Sequence, residues 1–334
     1  MLKGHGGNIS EFEDIKYDFS TNISPYGMHD KLKSYLVGHI DEFERYPDIE
    51  SRRLKKKLSS FFDISSDNFL VLNGSIEGIY LVAELFKSAK TAILIPTFIE
   101  YEKAAEKFGH KLQFINRLED ITDDVTLIFL CNPNNPDGKF FEREEIIFYL
   151  NRYKNTFFVI DETYEDFILK DISLVKYVDK YKNLLVLRSF TKTFALPGLR
   201  LGYLVANEKI VKQIYSLQIT WSINSLALLA GELIVDNYEY LKPPVELMIN
   251  ESKWLQSEMA KIKGVEVCFS ELNFFLCKSD AKASKLKDFL AKNFSVLIRD
   301  ASNFRGLSEK HFRIASQLRE KNLILIKGIR KFYE

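Results

Sequence analysis

The sequence predicts an α/β fold: a mostly parallel sheet flanked by helices, with a smaller α+β unit toward the C-terminus and an irregular N-terminal arm. Three observations carry this expectation. Between residues 69 and 206 a short apolar run repeatedly gives way to a polar cluster and often then to a helical pattern. After Pro243-Pro244 that alternation stops and shorter elements follow one another. Residues 1–30 combine Gly, Asn, Ser and Pro with a few large apolar side chains. A chain of 334 residues is long enough for two lobes, and the boundaries expected are an arm over 1–45, a large unit over 46–240 and a small unit over 241–334.

In the arm, Phe19, Ile23 and Tyr26 are anchors, so the segment is expected to be ordered against the body. Residues 51–62 read as an amphipathic helix, with Leu54, Leu58, Phe61 and Phe62 at helical spacing and the basic residues outward. The strand at 69–72 leads to Asn73-Gly74-Ser75 and a helix through Phe86, and the strand at 92–95 leads to Pro96-Thr97-Phe98. The strand at 126–130 leads to CNPNNPDG and a helix around 142–153. The strands at 157–160 and 184–187 lead to Asp161-Glu162-Thr163-Tyr164 and to Ser189–Lys192, and residues 203–205 carry the chain onward. Strands separated by helices build parallel sheets buried on both faces, and ligands collect beyond the carboxyl ends of such strands. In the small unit a helix bearing Trp254, Leu255, Met259 and Ile262 ends at Gly264. A hairpin of 265–269 and 274–278, a helix at 282–292, strands at 296–298 and 312–315, and a terminal helix complete it.

Composition narrows the function classes. With 46% hydrophobic and 28% charged residues the chain can build a large core, and a net charge of +1 gives no general attraction for nucleic acid or an acidic membrane. The 13 Lys/Arg against 5 Asp/Glu from Ala281 onward read mostly as a solvated helix face. Cys131, Cys268 and Cys277 show no paired spacing, which fits a reducing compartment. The N-terminus lacks the apolar core of a signal peptide, and the longest apolar run, 225–235, is too short for a bilayer and contains Glu232. A cytoplasmic protein is expected. His29, His39, His110 and His311 have no metal-ligand spacing, and no metal is expected. GxGxxG and GxxxxGK are both absent, which disfavours a dinucleotide or a nucleoside triphosphate.

The chemistry concentrates in RSFTKTFALPGLRLGY, residues 188–203. Lys192 stands at a strand end between hydroxyls, with Arg200 eight residues on and Pro197-Gly198 turning the chain back. A lysine so placed could form a Schiff base with an aldehyde cofactor that carries a phosphate. Gly74 and Ser75, with Ile76 after them, open a helix directly after a strand, where free N–H groups accept a phosphate. Asp161 ends an apolar run, where a carboxylate needs a cation or hydrogen bonds to offset its burial. A protonated pyridine nitrogen is one such partner. Tyr164 and Asn135 could reach a ring oxygen, and Phe98 offers a stacking face. Together these form a site for pyridoxal 5′-phosphate, whose phosphate falls to Gly74, Ser75, Ser189, Thr191 and Arg200. Arg313, inside the apolar run HFRIAS, is either paired with a carboxylate or placed for an anionic ligand.

NPNNPDG, DETY and SFTKTFALPGLRLGY make the chain resemble the fold-type I pyridoxal-phosphate enzymes over nearly its whole length. Within them it is most similar to threonine-phosphate decarboxylase of cobalamin synthesis and next to histidinol-phosphate aminotransferase. HGGN at 5–8, DFSTNISPYG at 18–27, ERYPD at 44–48 and IRDASNFRGL at 298–307 favour the decarboxylase. The resemblance implies that His5 and Asn22 reach the substrate phosphate and that Arg299 and Arg313 bind the phosphorylated amino acid. It also implies that Tyr46 reaches the cofactor phosphate of a neighbouring subunit in a homodimer. Asp137 departs from the family's usual Thr, and Thr191 from the commoner Ser, while the hydroxyl is kept. Decarboxylation of O-phospho-L-threonine is the activity expected. An aminotransferase for histidinol phosphate is the alternative, and a non-catalytic pyridoxal-phosphate-binding protein the third reading.

Overall fold

The computed structural model describes residues 5–334. The arm contributes a short strand, β1 (Tyr17–Asp18), and leads through α1 (Asp30–Gly38) to α2 (Arg52–Phe62). Strands and helices then alternate as β2 (Phe69–Leu72), α3 (Ser75–Leu85), β3 (Lys90–Leu94), α4 (Glu100–Lys107), β4 (Lys111–Ile115) and β5 (Leu127–Cys131). They continue as α5 (Arg143–Arg152), β6 (Phe157–Asp161), β7 (Leu184–Ser189), β8 (Gly202–Ala206), α6 (Glu208–Tyr215) and α7 (Ser225–Asp236). After α8 (Tyr238–Leu241) and α9 (Val245–Met259) come β9 (Val265–Cys268), β10 (Phe274–Ser279), α10 (Ala283–Phe294), β11 (Val296–Leu297), β12 (Arg299–Asp300), β13 (His311–Ala315) and α11 (Arg319–Tyr333).

The large sheet has the order β2-β8-β7-β6-β5-β3-β4. Only β8 runs antiparallel to its neighbours. Strands β5, β6 and β7 are buried along their whole length, and their side chains alternate between two cores. Phe158 and Ile160 face α1, α2, α5 and α7, whereas Phe157 and Val159 face α3, α4 and α6. That period of two is what a strand covered on both faces produces. Two elements escape the sequence pattern. β4 is an edge strand with Lys111 exposed and Gln113 half-buried, so it lacks the apolar run of a central strand. α4, sequence EYEKAAEK, buries Tyr101 and two alanines and carries no stripe of large aliphatics.

The second sheet is antiparallel, in the order β12-β13-β10-β9. The strand expected at 296–298 divides: β11 pairs in parallel with β1 of the arm, and β12 joins β13. Phe19 of the arm is fully buried in the core shared by α9, α10, α11 and this sheet. Its N–H donates to the Leu297 carbonyl at 2.8 Å, and its carbonyl accepts from Ala315 N at 2.9 Å. The arm is thereby built into the small unit and spans from there toward the large sheet. Among the described residues no helix is long and apolar enough to cross a membrane.

Candidate active site

Because six strands of the large sheet run the same way, the polar clusters after β2, β3, β5, β6 and β7 meet at one edge, around a cavity of about 240 Å³. The antiparallel β8 begins at that edge, so Arg200, two residues before it, arrives beside the end of β7. His5 and Asn22 of the arm, together with Arg299 and Arg313 of the small unit, close the opposite side. Ser75, Ile76, Phe98, Asn135, Asp161, Tyr164, Ser189, Thr191, Lys192 and Arg200 also line the cavity. Gly74 lies just behind the lining. Tyr46 does not reach it: its ring is 81% exposed and lies 4.7 Å from that of Trp221.

The phosphate cradle rests on one glycine. Gly74 caps α3 with φ +77°, and a Cβ there would stand 2.4 Å from Arg200 Nη2. Glycine therefore lets the guanidinium lie against the helix N-terminus, where unpaired N–H groups point outward. Ser189 Oγ and Thr191 Oγ1 are 2.8 Å apart beside it, and Thr163 Oγ1 is 3.4 Å from Ser75 Oγ. Hydroxyls, helix terminus and arginine together form an anion site.

Lys192 Nζ has no hydrogen bond or ion pair among the described residues. Burial, reinforced by Arg313 and Arg200, lowers it to about 8. Asp161, at the end of the neighbouring strand β6, lines the same cavity. Its Oδ2 accepts from the Tyr101 hydroxyl at 2.7 Å, and its Oδ1 from Thr163 N at 3.0 Å and Thr163 Oγ1 at 2.5 Å. Burial raises its pKa against these donors. No cation pairs with it among the described residues, so hydrogen bonds alone offset its burial. Glu162, the next residue, turns away to Arg188 at 3.0 Å and to Leu174 N at 2.7 Å. Arg188 also meets Asp166, which accepts from Thr193 Oγ1 at 2.9 Å and so braces the residue after Lys192.

Arg313 is buried, donating to Asn135 Oδ1 and, at 2.6 Å, to the Ser20 carbonyl. It has no carboxylate within ion-pair distance among the described residues, so the carboxylate pairing is not what offsets its burial. Arg299 stands directly opposite it across the β12–β13 pair and donates to Asn303 Oδ1 at 2.7 Å. Burial lowers both guanidinium groups to about 10, and Arg313 contributes to the shift of Arg299. His5 Nε2 lies 3.0 Å from Glu100 Oε1 at the cavity rim. The buried Asn22 side chain makes no hydrogen bond of good geometry, and Arg313 Nε has no partner either. Orphaned groups of this kind cost about 1–3 kcal/mol each unless a ligand satisfies them.

Sequence reasoning missed Ser20, Thr21, Tyr101, Thr163 and Phe304, which also line the cavity. Ser20, Thr21, Thr163 and Phe304 lie inside motifs already singled out. Tyr101 stands three residues after Phe98, and its N–H donates to the Phe98 carbonyl at 3.3 Å where α4 begins.

The residues present fit pyridoxal 5′-phosphate: a free amine, a buried carboxylate lining the same cavity, an aromatic face at Phe98 and a separate phosphate cradle. Residues 14–325 match the family model for class I and II aminotransferases, and the chain belongs to that family, a pyridoxal-phosphate-dependent one of fold type I. Within it, the chain is 30% identical to threonine-phosphate decarboxylase of Salmonella typhimurium, over 98% of this chain and 95% of that one. It is 31% identical to histidinol-phosphate aminotransferase of Pyrococcus furiosus, over 94% of this chain and 91% of that one. The crystal structure of L-threonine-O-3-phosphate decarboxylase from Porphyromonas gingivalis superposes with a TM-score of 0.92 at 32% identity, covering 95% of this chain and 99% of that one.

Proposed function

We propose that the protein decarboxylates O-phospho-L-threonine to (R)-1-amino-2-propanol phosphate, a step of cobalamin biosynthesis. The observation that carries this reading is the pair Arg299 and Arg313, directly opposite on neighbouring strands and facing the cavity. Like charges so placed repel by up to ~1 kcal/mol, which a shared anionic ligand reverses. With the cofactor phosphate assigned to Gly74, Ser75, Ile76, Ser189, Thr191 and Arg200, this second anion site is left for the substrate. O-phospho-L-threonine brings both a phosphate and a carboxylate to it, whereas histidinol phosphate brings only the phosphate.

When bound, pyridoxal phosphate supplies an electron sink that labilises whichever bond to the substrate Cα stands perpendicular to its ring. Asp161 would hold the positive charge of the ring nitrogen, and Asn135 and Tyr164 would hold the ring oxygen. Arg299, Arg313, His5 and Asn22 orient the substrate anions and so select the bond that breaks. Lys192 Nζ, protonated below about pH 8, would deliver to Cα the proton that takes the place of the departing CO2. The same reading includes a cytoplasmic homodimer in which Tyr46 reaches the neighbouring subunit's cofactor phosphate. It also keeps the organisation into an arm over 1–45, a large unit over 46–240 and a small unit over 241–334.

Purified protein loaded with pyridoxal phosphate should release CO2 from O-phospho-L-threonine. Absence of CO2, with conversion of histidinol phosphate in the presence of 2-oxoglutarate, would establish the aminotransferase instead. A Lys192→Ala variant should lose the cofactor's visible absorption. If it keeps the same spectrum, the lysine is misassigned.

A further inference from the structure

Three consecutive residues at the start of α4 each grip a different part of the molecule. Glu100, Tyr101 and Glu102 are all buried, although acidic residues in a first helical turn ordinarily face water. A helix advances about 100° per residue, so three neighbours project in three directions. Glu100 Oε1 meets His5 Nε2 of the arm at 3.0 Å and Lys103 Nζ at 2.6 Å, and its Oε2 accepts from the Tyr80 hydroxyl at 2.9 Å. Lys103 Nζ lies 3.3 Å from the same His5 nitrogen. Tyr101 donates to Asp161 and stacks on Phe129 with ring centres 5.3 Å apart. Glu102 receives both Nε and Nη2 of Arg305, the former at 3.1 Å. That guanidinium lies 4.0 Å over the Phe114 ring.

These contacts reach the two walls of the substrate side. Arg305 follows Phe304, which lines the cavity, and comes two residues after Asn303, which holds Arg299. His5 lines the cavity from the arm. Burial alone would raise Glu100, but His5, Lys103 and Tyr80 outweigh it and hold the carboxyl at about 2, so it stays ionised. A buried ion pair contributes little net stability, while its loss leaves a charge stranded, so such pairs act chiefly by fixing geometry.

We propose that this turn is the positioning element of the substrate pocket: Glu100 and Glu102 hold the arm's His5 and the Phe304 loop in register with Asp161, which the intervening Tyr101 braces. The inference rests on the decarboxylase reading for its substrate, and it assigns to that site two residues that touch no substrate.

The test compares Glu102→Gln, Arg305→Gln and their double variant, each loaded with cofactor. The Arg305 side chain is 47% exposed, so its substitution leaves the core intact. Each single variant should raise KM for O-phospho-L-threonine about fivefold, with kcat and cofactor affinity unchanged, and the double variant should match either single one. Effects that add in the double variant, or that fall on kcat alone, overturn the proposal. Glu100→Gln should speed amide hydrogen exchange across residues 5–12 and weaken the binding of inorganic phosphate measured by calorimetry. Unchanged exchange and unchanged phosphate binding overturn the arm half of the proposal. Both readouts work without turnover, so they remain decisive even if O-phospho-L-threonine releases no CO2 and the functional reading itself fails.

Discussion

Among the described residues Lys192 is the one amine lining the cavity, and its proton is weakly held. Burial and the charges of Arg313 and Arg200 lower it to about 8. The sign follows directly: the neutral amine, which is the nucleophile, dominates above that value and falls about tenfold for each pH unit below it. Cofactor loading of the apoprotein should therefore speed up as pH rises and level off near 8. A rate independent of pH between 6 and 9 would refute this. Arg313 is the second residue on which the site turns. Arg313→Gln removes the buried charge from the substrate wall while leaving the cradle at Gly74 untouched. It should cost about 2–5 kcal/mol in binding O-phospho-L-threonine, read as KM, with cofactor affinity preserved.

Elements explain why residues so distant in the chain meet. Reversing β8 alone brings Arg200 to the edge where Ser189 and Ser75 already stand; a parallel strand would start at the far edge. The arm is fixed by a different device, the pairing of β1 with β11 and the burial of Phe19 among α9, α10 and α11. Phe19→Ala should destabilise the protein by about 3–5 kcal/mol in denaturant unfolding, since it empties a closed core. A loss below 1 kcal/mol would mean that the arm is only laid on the surface. Ser24 N donates to the Lys192 carbonyl at 3.0 Å, so the arm also touches the lysine loop itself.

At the scale of the whole molecule, Tyr46 carries a prediction that a single chain cannot satisfy. It is exposed beside Trp221 and outside the cavity, as a residue acting in a neighbouring subunit would be. In the proposed homodimer, mixing Lys192→Ala with Tyr46→Ala chains should give more activity than either alone, because one site of each mixed dimer would hold both residues intact. No recovery after subunit exchange would place Tyr46 outside the machinery.

Much of this is legible in the sequence. The lysine loop, DETY, NPNNPDG and Asn73-Gly74-Ser75 each follow an apolar run, and strand-end placement is a local property that sequence records well. β4 and α4 were not legible, since an edge strand needs only one covered face and a helix can bury alanines. The roles of Tyr101 and Glu100 stayed hidden for another reason: their partners, Asp161 and His5, are far away in the chain. The sequence by itself determined the cofactor chemistry and the strand-end clusters, because short-range pattern dictates both. Only the tertiary structure decided that Arg313 has no carboxylate partner among the described residues, that Arg299 faces it, and that Phe19 ties the arm to the small unit. These depend on register and packing between segments up to about 300 residues apart, which no local pattern encodes.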